Sequence, residues 1–140
     1  MTRATAKVVK TPRSEAHLYL AKASEFAAAA RAASEAERQD AALLLSVHAA
    51  INSADAVTVA LAGVRSADPD HQRAVDLVGD VARGSEEIRQ RAAQLRALLQ
   101  KKNLVEYESR RSSPAEARDA VARAERLVAW ARSTVVKARV

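Results

Sequence analysis

Three observations on this sequence predict an all-α fold, an antiparallel bundle of four to five helices. Only three Gly and three Pro punctuate 140 residues, so turns are few and the elements between them long. Hydrophobic residues make up 49% of the chain and aromatics only 3%, which calls for an aliphatic, alanine-rich core built from the best helix former. Apolar residues recur at three- and four-residue spacing over long stretches, with no strand-like alternation. The length suits one domain with a single core, expected over residues 14–140 behind a basic, flexible arm over residues 1–13.

The elements follow in order. A first helix is expected from about Thr11 or Ser14 to Glu37, with Pro12 at its mouth, where helix starts favour it. Leu18, Ala21, Ala28 and Ala32 form one apolar side, with Tyr19, Ala23, Phe26, Ala30 and Ala33 beside it. A second helix spans about Asp40 to Ala62. Its seam of Leu43, Val47, Ala50, Ala54, Val57 and Leu61, widened by Leu44, Ile51 and Thr58, marks it as the central helix. Gly63 closes it, since glycine takes a positive φ without strain. Asp68 as N-cap and Pro69 as first helical residue open a short third helix to about Val78, and Gly79 and Gly84 flank a break. Ser85-Glu86-Glu87-Ile88 starts the fourth, with acids suited to the helix dipole and a core stripe of Ile88, Ala92, Leu95, Leu98 and Leu99. Ser113-Pro114-Ala115-Glu116 is a capping box that opens the fifth, whose apolar stripe runs Ala117, Ala120, Val121, Ala124, Leu127, Val128, Ala131 and Val135. Between the last two helices, Lys101 to Glu108 with Arg110 and Arg111 reads as a polar, basic junction.

Composition also excludes chemistry. Without cysteine there is no disulfide framework, thiolate zinc site or Cys nucleophile. No apolar run approaches the ~18 uninterrupted residues of a membrane span, and no apolar stretch follows the basic start as in a secretory signal. A cytoplasmic, membrane-independent protein is expected. Net charge is +6, carried unevenly: residues 1–13 hold four basic and no acidic residues, residues 14–88 six basic and twelve acidic, and residues 89–140 thirteen basic and five acidic. Such a late basic segment serves a polyanion, or it is matched internally by the acidic early helices.

His48, Asn52 and Asp55, four and three apart, share one side of the second helix, as the wall of a site or as its solvated stripe. They supply at most two metal ligands and no second pair is visible, so neither metal nor cofactor is expected. Arg65 and His71 form a loose Arg-x5-His string, but across a Pro-containing loop, and His71 is read as local structure at a helix entrance. Trp130, the single tryptophan, falls on the polar side of the fifth helix with Asp119, Arg123, Arg126, Ser133 and Lys137. There Arg123, Arg126 and Trp130 would anchor an interface, with protein preferred to nucleic acid. No Gly-rich phosphate loop, paired-carboxylate spacing or Ser/His/Asp order is present.

The order of signals resembles the HEPN superfamily (higher eukaryote and prokaryote nucleotide-binding domains) over about residues 14–137. Val47 to Val57 with the Gly63 stop is similar to the family's long second helix. Asp70 to Leu77 is similar to the opening of its third. The stretch from Leu95 through Lys102-Asn103 to Tyr107, then Pro114-Ala115-Glu116-Ala117 and Ala124 to Val128, is similar to its fourth helix, motif loop and final helix. The resemblance implies a homodimer whose ribonuclease motif, Arg, a polar residue, a few variable residues and His, lies near the end of the fourth helix. Lys102 falls where the Arg would be, Asn103 at the polar position and Tyr107 where the His would be. Cleavage by 2′-OH attack needs a group titrating near neutrality, and His, at about 6.5, suits it. Tyr, near 10, is a poor base at pH 7, and Lys holds phosphate without the fork of Arg.

The resemblance therefore implies a non-catalytic binding module. Lys101, Lys102, Asn103, Tyr107, Arg110 and Arg111 would hold an anion, nucleotide or nucleic acid, and His48, Asn52 and Asp55 would wall the pocket. The alternatives are a metal-independent ribonuclease of toxin type using His48 or His71, and an interaction subunit working through the Trp130 face. Expected partners are a second copy of the chain, RNA or a nucleotide, or a protein such as a nucleotidyltransferase or antitoxin.

Overall fold

Among the described residues, alanine-rich sequence with few breakers condenses into five α-helices and one short ribbon. The computed structural model describes residues 7–82 and 85–140. In chain order these are β1 (Val8–Lys10), a 3-10 turn (Arg13–Glu15), α1 (Ala16–Glu35), α2 (Gln39–Ala62), β2 (Val64–Ser66), α3 (Gln72–Val81), α4 (Glu86–Tyr107) and α5 (Pro114–Ala138). The fold is the all-α bundle expected.

The centre is α2, which packs against each of the other four helices. Its seam is buried as predicted from Leu43 to Val57, while Leu61, at its end, is 41% exposed. Small residues let neighbours approach closely, and their hydroxyls are satisfied within the helix: Ser46 Oγ donates to the Ala42 carbonyl and Ser53 Oγ to that of Ala49, each at 2.8 Å. By length and mean hydropathy α2 would also pass for a membrane span, but 72% of that window is buried inside the bundle, as befits a core helix. Gly63 stops it at φ 63°, and a Cβ there would meet the Thr11 carbonyl oxygen at 3.2 Å, so the position needs glycine twice over.

Four details correct the sequence reading. First, the arm expected over residues 1–13 is folded where it is described. Val8, Val9 and Lys10 pair antiparallel with Ser66, Arg65 and Val64, Thr11 is buried, and its N–H donates to the Gly63 carbonyl at 2.8 Å. Residues 1–6 of that arm lie outside the described residues. Strands of three residues are too short to leave an alternating pattern.

Second, α1 buries Ala16, Leu20, Ala23, Ala27 and Ala30. The row Leu18, Ala21, Ala28 and Ala32 faces outward, with Leu18 59% exposed. Alanine covers nearly every side of this helix, so periodicity alone cannot choose the inner one.

Third, α3 begins at Gln72, three residues later than predicted. Asp68 Oδ1 accepts from the Asp70 N–H at 2.9 Å, and Asp70 Oδ1 accepts from the Gln72 N–H at 3.0 Å, so Asp70 holds the helix mouth. The helix also runs past Val78 and Gly79 to Val81.

Fourth, the basic junction is helical as far as Tyr107, because nothing from Lys101 to Tyr107 breaks a helix and the Lys102–Glu106 pair supports its last turn.

The fifth helix starts as predicted. Ser113 Oγ accepts from the Glu116 N–H at 3.1 Å and the Glu116 carboxylate from the Ser113 N–H at 2.9 Å. Its entire predicted stripe is buried, but Trp130 is buried too, at 6% exposure, within the main core. The interface role read for Trp130 is thus corrected. Both α1 and α2 cover α5, and a large ring one helical step from Leu127 extends into the core from the edge of the stripe. Arg123 pairs with Asp119 at 2.8 Å and Arg126 is exposed.

Candidate functional site: a polar groove along the second helix

The side of α2 that carries His48, Asn52 and Asp55 meets the entrance of α3 and the end of α4. His48 is half-buried, its ring against Phe26 with centroids 5.8 Å apart. Asn52 turns its amide back to the His48 carbonyl at 2.9 Å. Asp55, one turn on, is 8% exposed. The stripe is thus a half-buried wall that ends in a buried carboxyl group.

Lys102 stands on α4 with its Nζ 3.0 Å from Glu106 Oε2. Glu106 is held below the usual carboxylate range chiefly by that hydrogen bond, with help from the Lys102 charge, the Tyr107 hydroxyl and the nearby His48. Across from it His71 is pushed down from its ordinary value, first by burial and then by the charges of Lys102 and His48, against the pull of Asp70 and Glu106. Two histidines, a lysine and a glutamate from α2, the α3 mouth and α4 therefore share one electrostatic neighbourhood. Asn103 and Tyr107 lie at its open edge, Tyr107 77% exposed.

His71 also lines a cleft of about 180 Å³ with Ile51, Asp55, Arg65, Ser66 and Ala74. Burial pushes the Asp55 carboxyl up to about 7, opposed by the charges of Arg65 and Lys22. Arg65, carried by β2, lays its guanidinium over the Tyr19 ring at 5.6 Å, and its Nε is buried without a hydrogen-bond partner. His71 joins this cleft to the Lys102 end.

The remaining junction cations are matched elsewhere. Arg110 donates two hydrogen bonds of 2.9 Å to the Glu116 carboxylate, and Lys101 lies 3.4 Å from the same group. Glu116 is driven far below the usual carboxylate range by Arg110, then by the Ser113 N–H. Arg111 Nε lies 2.7 Å from Asp40 Oδ2, while the Ser112 N–H donates to Asp40 Oδ1 at 2.9 Å. Asp40 is lowered chiefly by Ser112 and then by Arg111. Of these pairs Arg111–Asp40 matches a late base with an early acid, while Glu116 answers Lys101 and Arg110 from within the late segment itself.

Comparison with known protein families matches the chain to the HEPN domain over residues 16–134. The chain belongs to the HEPN family. Comparison with curated proteins and with solved structures gives no match. In this HEPN domain the positions read for the motif, Lys102, Asn103 and Tyr107, occupy the last turns of α4, and Lys102 brings that stretch to the groove.

Sequence reasoning did not bring three members into the groove. Glu106 was signalled by its i, i+4 spacing from Lys102. His71 was read as part of a helix mouth, and given a chemical role only in the ribonuclease alternative. Arg65 was seen only in the loose Arg-x5-His string with His71, because its place in the cleft depends on the ribbon. Chemically, the groove offers a cation for phosphate at Lys102, two imidazoles at His48 and His71, and the buried Asp55 carboxyl with the partly buried Arg65 guanidinium beside it.

Proposed function

We propose that this HEPN domain is a binding module that holds a nucleotide or RNA in the groove along α2 without cleaving it. The observation that carries this reading is the division of the junction's cations: Lys101, Arg110 and Arg111 are engaged with Glu116 and Asp40, while Lys102 stands beside His48 and His71. Lys102's own partner, Glu106, is an i, i+4 neighbour of the kind worth about 0.3–0.5 kcal/mol, which an incoming phosphate can displace. Tyr107, read at the position of the family's histidine, is a solvent-exposed phenol in place of an imidazole, which supports binding over cleavage.

The test is RNA binding against salt concentration. Lys102→Ala should weaken binding and reduce the salt slope by about 0.7–0.9, the share of one phosphate contact, while Arg111→Ala should leave the slope unchanged. Equal effects of both substitutions would remove the groove from the binding surface.

A second reading, cleavage, is favoured by one observation: His71 is shifted toward its neutral form beside both a lysine and a second histidine. Incubation of labelled RNA with wild type, His48→Ala and His71→Ala separates the two readings. Cleavage by wild type that either substitution abolishes would make the domain a ribonuclease. RNA left intact, at the level of buffer, while still bound would establish the binding module.

A further inference from the structure

Asp55 and Arg65 pose a problem that the phosphate reading leaves open. A buried carboxyl group is ordinarily hydrogen-bonded. Among the described residues the Asp55 carboxyl has no hydrogen bond and no close ion pair, although Arg65 and Lys22 act on it through longer-range charge. Arg65 is its counterpart: Nε is buried without a partner, and Nη1 reaches only the Ser66 carbonyl at 3.4 Å. Acceptor and donor stand beside one cleft of about 180 Å³ without closing on each other. This is below the ~300 Å³ floor of sites for drug-sized molecules, so the space suits one ring system rather than a whole nucleotide. Ile51 and Ala74 supply apolar wall, suited to the faces of a flat ring.

We propose that this cleft is a nucleobase subsite selective for guanine, with Asp55 accepting from N1–H and the N2 amino group and Arg65 donating to O6. The proposal rests on the reading of the groove as a nucleotide or RNA site. Its logic is the order of donors and acceptors. A carboxylate offers two adjacent acceptors, and the guanidinium beside it offers donors. On the pairing edge only guanine presents two adjacent donors followed by a carbonyl. Adenine and cytosine present a single amino donor next to a ring nitrogen acceptor, and uracil a single N–H between two carbonyls. Each of these would set an acceptor against a carboxylate oxygen. Arg65 is held for the task by its place over Tyr19 and by the pairing of its strand. His71, which belongs both to the cleft and to the Lys102 neighbourhood, sets the direction in which ribose and phosphate would leave the base.

The experiment is calorimetric titration of the full chain with GMP, AMP, CMP, UMP and guanosine, and with short single-stranded RNAs with and without guanine. GMP should bind about 10- to 100-fold more tightly than the other three nucleotides, the discrimination of one good bidentate contact. Asp55→Asn should remove that advantage and shift preference to xanthosine monophosphate, whose O2 accepts from the new amide where the guanine amino group donated. This gain cannot arise from a damaged fold. Arg65→Gln should weaken GMP and guanosine alike. If free GMP binds and guanine in RNA does not, the subsite serves nucleotides; if only guanine-containing RNA binds, it serves a base within a strand.

Binding of all four nucleotides alike, weakened by Lys102→Ala and unchanged by Asp55→Asn, would overturn the subsite and leave the phosphate reading standing. Guanosine binding that depends on Asp55 and ignores Lys102→Ala would keep the subsite and remove the phosphate role of Lys102. Absence of binding to every nucleotide and RNA would overturn both.

Discussion

The end of α4 and the cleft beside α2 are both polar and rich in cations, yet the two are built on opposite terms. At the α4–α5 connection the cations are answered: Arg110 and Lys101 on Glu116, Glu116 on the Ser113 cap, and Arg111 with Ser112 on Asp40. Those bonds tie the start of α5 to the end of α4 and to the start of α2. In the cleft, Asp55 is buried deeper than these, and the buried Nε of Arg65 has no hydrogen-bond partner. A charge completed by the fold acts for the fold, whereas a charge left incomplete at depth lowers stability and stays open to a ligand.

The largest effect that can break this contrast is on stability. The Asp55 carboxyl titrates near 7 in the folded chain and near 3.9 when unfolded. Between these values the folded state keeps a proton that the unfolded state has lost, so this group's contribution to stability falls as pH rises from about 4 to 7. Asp55→Asn, which never ionises, should therefore be more stable than wild type at pH 8, by on the order of 2–4 kcal/mol, with the gap closing toward pH 4. Urea denaturation of both proteins across that range measures it. A gap independent of pH would mean that burial does not raise the Asp55 carboxyl in the folded chain.

A smaller effect tests the other side. Ser113→Ala should cost ~1 kcal/mol through loss of the α5 cap, and should leave nucleotide and RNA affinity unaltered. A fall in affinity together with stability would tie the junction to the groove. Smallest of all, Arg111→Ala should change stability by less than about 1 kcal/mol, since its pair with Asp40 is solvent-exposed on the arginine side. A larger loss in thermal denaturation would show the connection to be cooperative rather than a set of separate pairs.

Much of this fold could be read in advance because its signals are local. The Ser113 box, the Gly63 stop and the stripes of α4 and α5 depend on residues within a turn or two of one another. The face of α1 could not be read, since an alanine-rich helix has nearly the same hydrophobicity all round and tertiary contacts decide. Trp130 was misplaced because a ring at the border of a stripe goes inward or outward according to how many helices cover it. The site was legible in halves. Lys102 and the row His48, Asn52 and Asp55 could be named, but their meeting with His71 and Arg65 arises from packing between segments distant in sequence.

The ribbon adds a consequence for control at a distance. Val9 lies opposite Arg65, and the same strand leads into Thr11, whose N–H is fastened to the end of α2. The arginine that closes the cleft is thus moored by a segment outside the helical bundle, with Val8 and Val9 more than 40% exposed. The hold on Arg65 therefore comes from the pairing of β1 with β2 and not from the helices, so a change in Val8–Lys10 reaches the cleft without touching any residue that lines it.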